Sequence, residues 1–229
     1  MKIRLATPVI LEDSIVDGEG IRAVIWTQGC SHKCPGCHNP QTHSFDEGFL
    51  LDIEEVKEQI DSLEGQDGIT FSGGDPLYQV DACLELAKYI KSKKMNIWCY
   101  TGFTYETLLS ISEKNPKIKE FLKTIDVLID GPFILEKKSL DCPFRGSTNQ
   151  RIIDTKESLK RKEVCLIEKY SEKQNKLNFK RERIYIWLSF YIIYIELSSL
   201  KESLLSIFCS NNLNLFSSSV ILLIKFIIS

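Results

Sequence analysis

Up to Gly146 the apolar positions switch repeatedly between a period of two and a period near 3.6. Ile21-Arg22-Ala23-Val24-Ile25-Trp26 is short and β-branched, which predicts a strand ending at Gly29. Ile53, Val56, Ile60 and Leu63 then recur at helical spacing, behind Asp52 and Glu55 placed as a capping-box pair. Gly68 to Phe71 predicts a second strand, and Val80, Cys83, Leu84, Ala87 and Ile90 form the inner stripe of a second helix. Asn96 to Tyr100 predicts a third strand. A helical region from Tyr105 to Lys123, broken at Pro116, leads to a fourth strand from Ile125 to Ile129. Strand alternating with helix implies an α/β fold with a parallel sheet. Fewer than 170 such residues cannot supply eight units of a closed barrel, which needs at least about 200. The pattern therefore predicts an open partial (β/α) barrel, truncated relative to the full one.

The composition divides the chain. All 12 glycines lie at or before Gly146, and from Ser147 onward there is no Gly, Ala or Pro. The expected division is a domain over 1–168 and an atypical apolar tail over 169–229. The tail reads either as a membrane anchor, interrupted by Asn211, Asn212, Asn214 and a serine run, or as translated AT-rich sequence. The second reading is preferred because the missing residue types are those with GC-rich codons.

Lys and Arg total 29 against 31 Asp and Glu, so no basic field is available for a phosphate backbone and nucleic-acid binding is not expected. Met1 to Leu5 carries no long apolar stretch, and Glu12, Asp13 and Asp17 follow soon after. The expected compartment is the cytoplasm. Eight cysteines, three of them within eight residues, suit metal binding in a reducing compartment better than disulfides.

Active residues of parallel α/β folds collect at the C-terminal ends of the strands. The first predicted strand runs into Cys30-Ser31-His32-Lys33-Cys34-Pro35-Gly36-Cys37-His38, three thiols on one tight loop. Soft thiolates select zinc or iron–sulfur clusters. A cubane held by three cysteines keeps one iron open, which points to catalysis. In a zinc site His32, His38 or His43 would be the fourth ligand, and the acidic balance and enzyme-like remainder count against that. In a ferredoxin-like electron carrier Cys142-Pro143 would complete the cluster, but such runs begin with two-residue spacings, and three residues separate Cys30 from Cys34. The second strand runs into Ser72-Gly73-Gly74-Asp75-Pro76, where paired glycines let backbone approach a ligand closely.

The Cys-x3-Cys-x2-Cys loop together with Gly73-Gly74-Asp75 resembles the radical S-adenosylmethionine superfamily. The resemblance implies a [4Fe-4S] cluster on Cys30, Cys34 and Cys37. It also implies S-adenosyl-L-methionine held by Gly36, Cys37, His38, Ser72, Gly73, Gly74 and Asp75, and reductive cleavage to a 5′-deoxyadenosyl radical. Gly36 stands where many members carry an aromatic residue. Cys-Pro-Gly-Cys-His-Asn is similar to the glycyl-radical activase branch. Asp17-Gly18-Glu19-Gly20-Ile21-Arg22, Tyr100-Thr101-Gly102, Asp126 to Gly131 and Phe144 to Arg151 resemble, over residues 2 to 168, the activases of anaerobic ribonucleoside-triphosphate reductases. The implied partners are the large subunit of that reductase, which bears the glycine, and a low-potential donor such as flavodoxin or ferredoxin. Pyruvate formate-lyase activases are the alternative, and they continue through barrel units absent here. Thr101 and Asp130 are strand-end polar residues with capping or ligand roles both open, and Cys83 and Cys99 are expected in the core.

Overall fold

The computed structural model describes residues 1–170. Eight strands, β1 (Lys2–Leu5), β2 (Leu11–Ser14), β3 (Arg22–Thr27), β4 (Phe49–Asp52), β5 (Gly68–Gly73), β6 (Asn96–Tyr100), β7 (Val127–Asp130) and β8 (Arg151–Asp154), form one open sheet. Its order is β4-β1-β3-β5-β6-β7-β8, and β2 pairs with β3. Five α-helices, α1 (Ile53–Asp61), α2 (Val80–Ser92), α3 (Tyr105–Ser112), α4 (Pro116–Thr124) and α5 (Thr155–Arg161), and four short 3-10 turns complete the regular structure among the described residues.

The four predicted strands are the parallel centre, β3-β5-β6-β7. To the expected parallel sheet the structure adds β1, β2, β4 and β8, which pair antiparallel and make the whole sheet mixed. The reason is connection type. β3, β5, β6 and β7 follow one another through helical crossovers, whereas β7 returns to β8 through a loop with only one short 3-10 turn. The helical stretch 105–123 breaks as expected: Pro116 opens α4, and the Asn115 side chain accepts from Lys117 N at 3.2 Å. The α1 cap is also present, with Asp52 N donating to Glu55 Oε2 at 3.3 Å.

Alternation along the strands separates two faces. Ala23, Ile25, Ile69, Phe71, Ile97, Cys99 and Leu128 pack with the helices in the main core. Burial pushes the Cys83 and Cys99 thiols far above the ordinary cysteine range, as befits core packing. The opposite face carries a second cluster of Trp98, Val127, Ile129, Ile152 and Tyr170. The Asp17–Gly20 segment crosses this face, where Thr70 Oγ1 donates to Asp17 O at 2.8 Å. Arg22 is buried there over the Trp98 ring, donating to Thr70 Oγ1, Ile69 O and Glu19 O. That burial pulls its pKa down to about 10.

Lys169 and Tyr170, placed with the tail on composition, belong to this second face. Tyr170 is 9% exposed, lies 5.5 Å from the Phe144 ring, and accepts from Arg145 Nη2 at its carbonyl. The rest of the proposed tail, with both readings of it, lies outside the described residues. No helix among the described residues is long and apolar enough to cross a membrane.

Candidate functional site

β3 ends at Thr27, and the chain then makes a loop whose base is tied shut. Gly29 N donates to Thr42 O at 2.9 Å and Cys30 N to His43 O at 3.1 Å. Gln28 braces the same base, its Nε2 donating to Gln41 O and Ser44 O. Inside the loop Cys37 N turns back on Cys34 O, with Gly36 at φ +71° and packed so that a Cβ would meet Leu135 at 2.8 Å. Cys30 is buried, whereas Cys34 and Cys37 are half-buried, and none is in a disulfide. Burial pushes the Cys30 thiol up to about 11, opposed by the His32 backbone N–H. Among the described residues no three His, Cys, Asp or Glu converge on a single ion.

The glycine turn lies beside this loop because β3 and β5 run parallel with Thr27 opposite Gly73. Gly74 N donates to Thr27 O at 2.7 Å, and Asp75 N to Gly29 O at 3.0 Å. The close approach leaves no room for side chains. A Cβ at Gly74 would stand 2.5 Å from Gly29 O, and one at Gly73, already at φ +98°, 2.5 Å from Thr27 O. Both amides after Gly73 are thus engaged by the chain itself, as are Ser72 O by Thr27 Oγ1 and Asp75 O by Tyr78 N, and what the turn can offer a ligand is the carbonyl oxygens of Gly73 and Gly74.

Asp75 is fully buried. Its carboxylate accepts from Leu77 N at 3.0 Å, from Thr101 Oγ1 at 2.9 Å, from Gly102 N at 2.9 Å and from His32 Nε2 at 2.8 Å. Asp130, by contrast, caps the start of α3 by accepting from Tyr105 N at 2.8 Å and pairs with Arg151, which also grips Glu106. Thr101 and Asp130 therefore have structural partners.

One cavity of about 460 Å³ gathers these pieces, a size that suits a small ligand. Cys30, Cys34, Cys37, His38, Ser72, Gly73 and Gly74 all line it, while the exposed Gly36 and the buried Asp75 do not. The far wall is the segment after β7. Gln150 holds it, accepting from Gly146 N at 2.9 Å and donating to Gly131 O, and Tyr100 Oη donates to Phe144 O at 2.8 Å. A Cβ at Gly131 would meet nothing closer than 3.9 Å, so that wall is open toward the cavity. Trp26, Tyr100, Arg145 and Gln150 also line it and were not singled out from sequence as site residues. For Trp26 and Tyr100 the signal was present: alternation places them, with Ser72, opposite the helix-facing Ile25, Cys99 and Phe71. Trp26 Nε1 and Arg145 Nε are buried without a partner. Three soft thiols, a glycine-walled hollow and unpartnered donors together fit a cluster with an organic cofactor beside it.

The profile of the 4Fe-4S single cluster domain family matches residues 16–153. An anaerobic ribonucleoside-triphosphate reductase-activating protein of Haemophilus influenzae is 35% identical over 146 residues, covering 60% of this chain and 90% of its own. The protein of that name in enterobacteria phage T4 is 36% identical over 145 residues, covering 60% and 86%. The Escherichia coli K12 protein of that name is 33% identical over 144 residues, covering 59% and 90%.

Proposed function

The chain belongs to the family of anaerobic ribonucleoside-triphosphate reductase-activating proteins, and on that premise we propose that it is a radical S-adenosylmethionine activase that places a glycyl radical on such a reductase. The observation that carries the proposal is the seating of the three-cysteine loop over the Ser72–Asp75 turn in one cavity at the C-terminal ends of parallel strands.

Cys30, Cys34 and Cys37 would hold the cluster and leave one iron free for a further ligand. Gly73 and Gly74, with the amides of Gly74 and Asp75 engaged, present carbonyl oxygens suited to an amino acid's ammonium group, beside Ser72. Gly36 and His38 flank the last thiol, and the His38 ring leans on Phe133 at 4.9 Å between centroids. Gly131, Phe144, Arg145 and Gln150 wall the side where the nucleoside half would lie. When bound and reduced by one electron, the pair of cofactors supplies methionine and a 5′-deoxyadenosyl radical that takes a hydrogen atom from a glycine. The open sheet would serve as the family's partial barrel, and burying the radical from water requires the partner to cover its mouth. We place the protein in the cytoplasm with a low-potential donor such as flavodoxin or ferredoxin.

The test offers two partners under one set of conditions: anaerobic ribonucleotide reductase and pyruvate formate-lyase, each with S-adenosylmethionine and a strong reductant. A glycyl radical should be visible by electron paramagnetic resonance on the reductase, and poorly or not at all on the lyase. Cys30→Ala, Cys34→Ala and Cys37→Ala should each abolish 5′-deoxyadenosine formation, while Cys142→Ala retains it. A radical on the lyase alone would reassign the partner; no 5′-deoxyadenosine with either would remove the chemistry.

A further inference from the structure

We infer that Asp75 is a positioning residue that locks the cysteine loop to the ends of β5 and β6 through His32, and that it does not itself contact the cofactor. The inference rests on reading the cavity as the site of a [4Fe-4S] cluster and S-adenosylmethionine.

A carboxylate has about four acceptor positions. Those of Asp75 meet four donors: Leu77 N, Thr101 Oγ1, Gly102 N and His32 Nε2. With the side chain fully buried and both oxygens engaged by these donors, the carboxylate presents no exposed edge to a ligand's ammonium group. Asp75 also does not line the cavity, whereas Ser72, Gly73 and Gly74 do.

The four donors come from three separate places: the cysteine loop, the turn itself and the end of β6. Of these, His32 is the informative one, because it sits between Cys30 and Cys34. Its ring is held edge-on against Phe103 at 4.6 Å and lies 5.9 Å from the Tyr78 ring. On the remaining side Gly102 abuts it so tightly that a Cβ there would stand 2.5 Å from His32 Cδ2. The imidazole therefore has one orientation, with Nε2–H aimed at Asp75. Groups that hold a ligand loop in this way, without touching the metal, typically change metal affinity about 10–100-fold when removed.

The experiment is carried out on the full chain, reconstituted anaerobically and without S-adenosylmethionine, and reads the rate of cluster loss to an iron chelator and the spectrum of the reduced cluster. Asp75→Asn and His32→Phe should each speed cluster loss by about tenfold or more and shift the spectrum alike. The double variant should be no worse than either alone, because both remove one link. Should Asp75→Asn fail to fold, the His32 pair decides: His32→Gln, which keeps an N–H donor, should stay near wild type while His32→Phe departs. The inference is overturned if the Asp75→Asn cluster is indistinguishable from wild type while affinity for S-adenosylmethionine falls at least tenfold. It is equally overturned if His32→Phe leaves the cluster unchanged. Adding S-adenosylmethionine to the wild type separates the two layers: an unresponsive cluster would refute the cofactor reading, with the cofactor-free comparison still deciding the role of Asp75.

Discussion

Replacing Gly74 by alanine tests whether the glycine turn is demanded by the chain's own packing. The new methyl carbon would stand 2.5 Å from Gly29 O, 2.9 Å from Gly29 C and 3.0 Å from Gly29 N. All three are backbone atoms, so no side chain can swing aside. Reaching even 3.0 Å from the oxygen requires a shift of half an ångström, and the two strands resist it through Gly74 N to Thr27 O and Asp75 N to Gly29 O. Overpacking of this kind costs about 1–3 kcal/mol. For a domain of this size that lowers the melting temperature by about 2–12 °C. The displaced backbone is Gly29, next to Cys30, so the cysteine loop moves with it. Displacements approaching 1 Å cost on the order of 100-fold in positioned reactions, and half of that should slow 5′-deoxyadenosine formation by about tenfold. Gly65→Ala is the control: Gly65 has φ +90° but nothing within 4 Å of a Cβ. It should lose about 1–2 kcal/mol from backbone conformation while the loaded protein turns over normally. A Gly74→Ala protein with the melting temperature, cluster spectrum and turnover of the wild type would refute the reasoning.

Three further outcomes rest on particular contacts. A chain ending at residue 168 removes Tyr170 from between Trp98 and Phe144, a loss of about 3 kcal/mol, so it should melt about 6–12 °C below a chain ending at residue 172; equal melting curves would show Tyr170 to be dispensable. Arg151→Met leaves the buried Asp130 with Tyr105 N as its remaining donor and should cost about 2 kcal/mol, less than the 3–5 of a fully buried pair because Arg151 is 30% exposed. Asp130→Asn added to it should recover most of that. The hydrogen bonds from Arg151 hold the Glu106 carboxyl down at about 2. A lowered carboxyl pKa stabilises the fold above its ordinary value of 4.5, and that stabilisation is lost as pH falls toward 2, although solvent around Glu106 keeps it small. Nuclear magnetic resonance titration should find the Glu106 carboxyl returning toward 4.5 in Arg151→Met, and an unmoved titration would rule the pair out as the cause.

Which of these features could be read from the chain alone depended on whether their cause was local. β3, β5, β6 and β7 were legible because each is a β-branched or aromatic run that meets a glycine at or just after its end, and α2 because its stripe is continuous. β1, β2, β4 and β8 were not: four residues such as Leu11-Glu12-Asp13-Ser14 carry no alternation, and their pairing is decided by partners distant in sequence. The cysteine loop was legible from spacing. The burial of Asp75 among four donors was not, since three of them come from other parts of the chain and no spacing rule connects them. The family resemblance implied a ligand contact for Asp75, and its burial among four donors is what the positioning role inferred above rests on.

The parallel register explains why two motifs so far apart in sequence work as one site. Thr27 lies opposite Gly73, so the chain leaves β3 and β5 at the same level of the sheet. Cys30 follows Thr27 by one short turn, and Asp75 follows Gly73 by another, which brings the amides of Gly74 and Asp75 onto the carbonyls of Thr27 and Gly29. A slip of one residue would turn every side chain of β5 to the other face, putting Phe71 into the cavity and Ser72 into the core. Gly73 and Gly74 are therefore required first by contact with the end of β3 and the loop after it, Gly29 by its φ of +102° and by the Phe45 ring 2.6 Å from a Cβ, and the hollow beside Cys30 is a consequence of that packing. On this account, ligand affinity and fold stability share the same few backbone atoms, and substitutions at Gly29 or Gly74 should change both together.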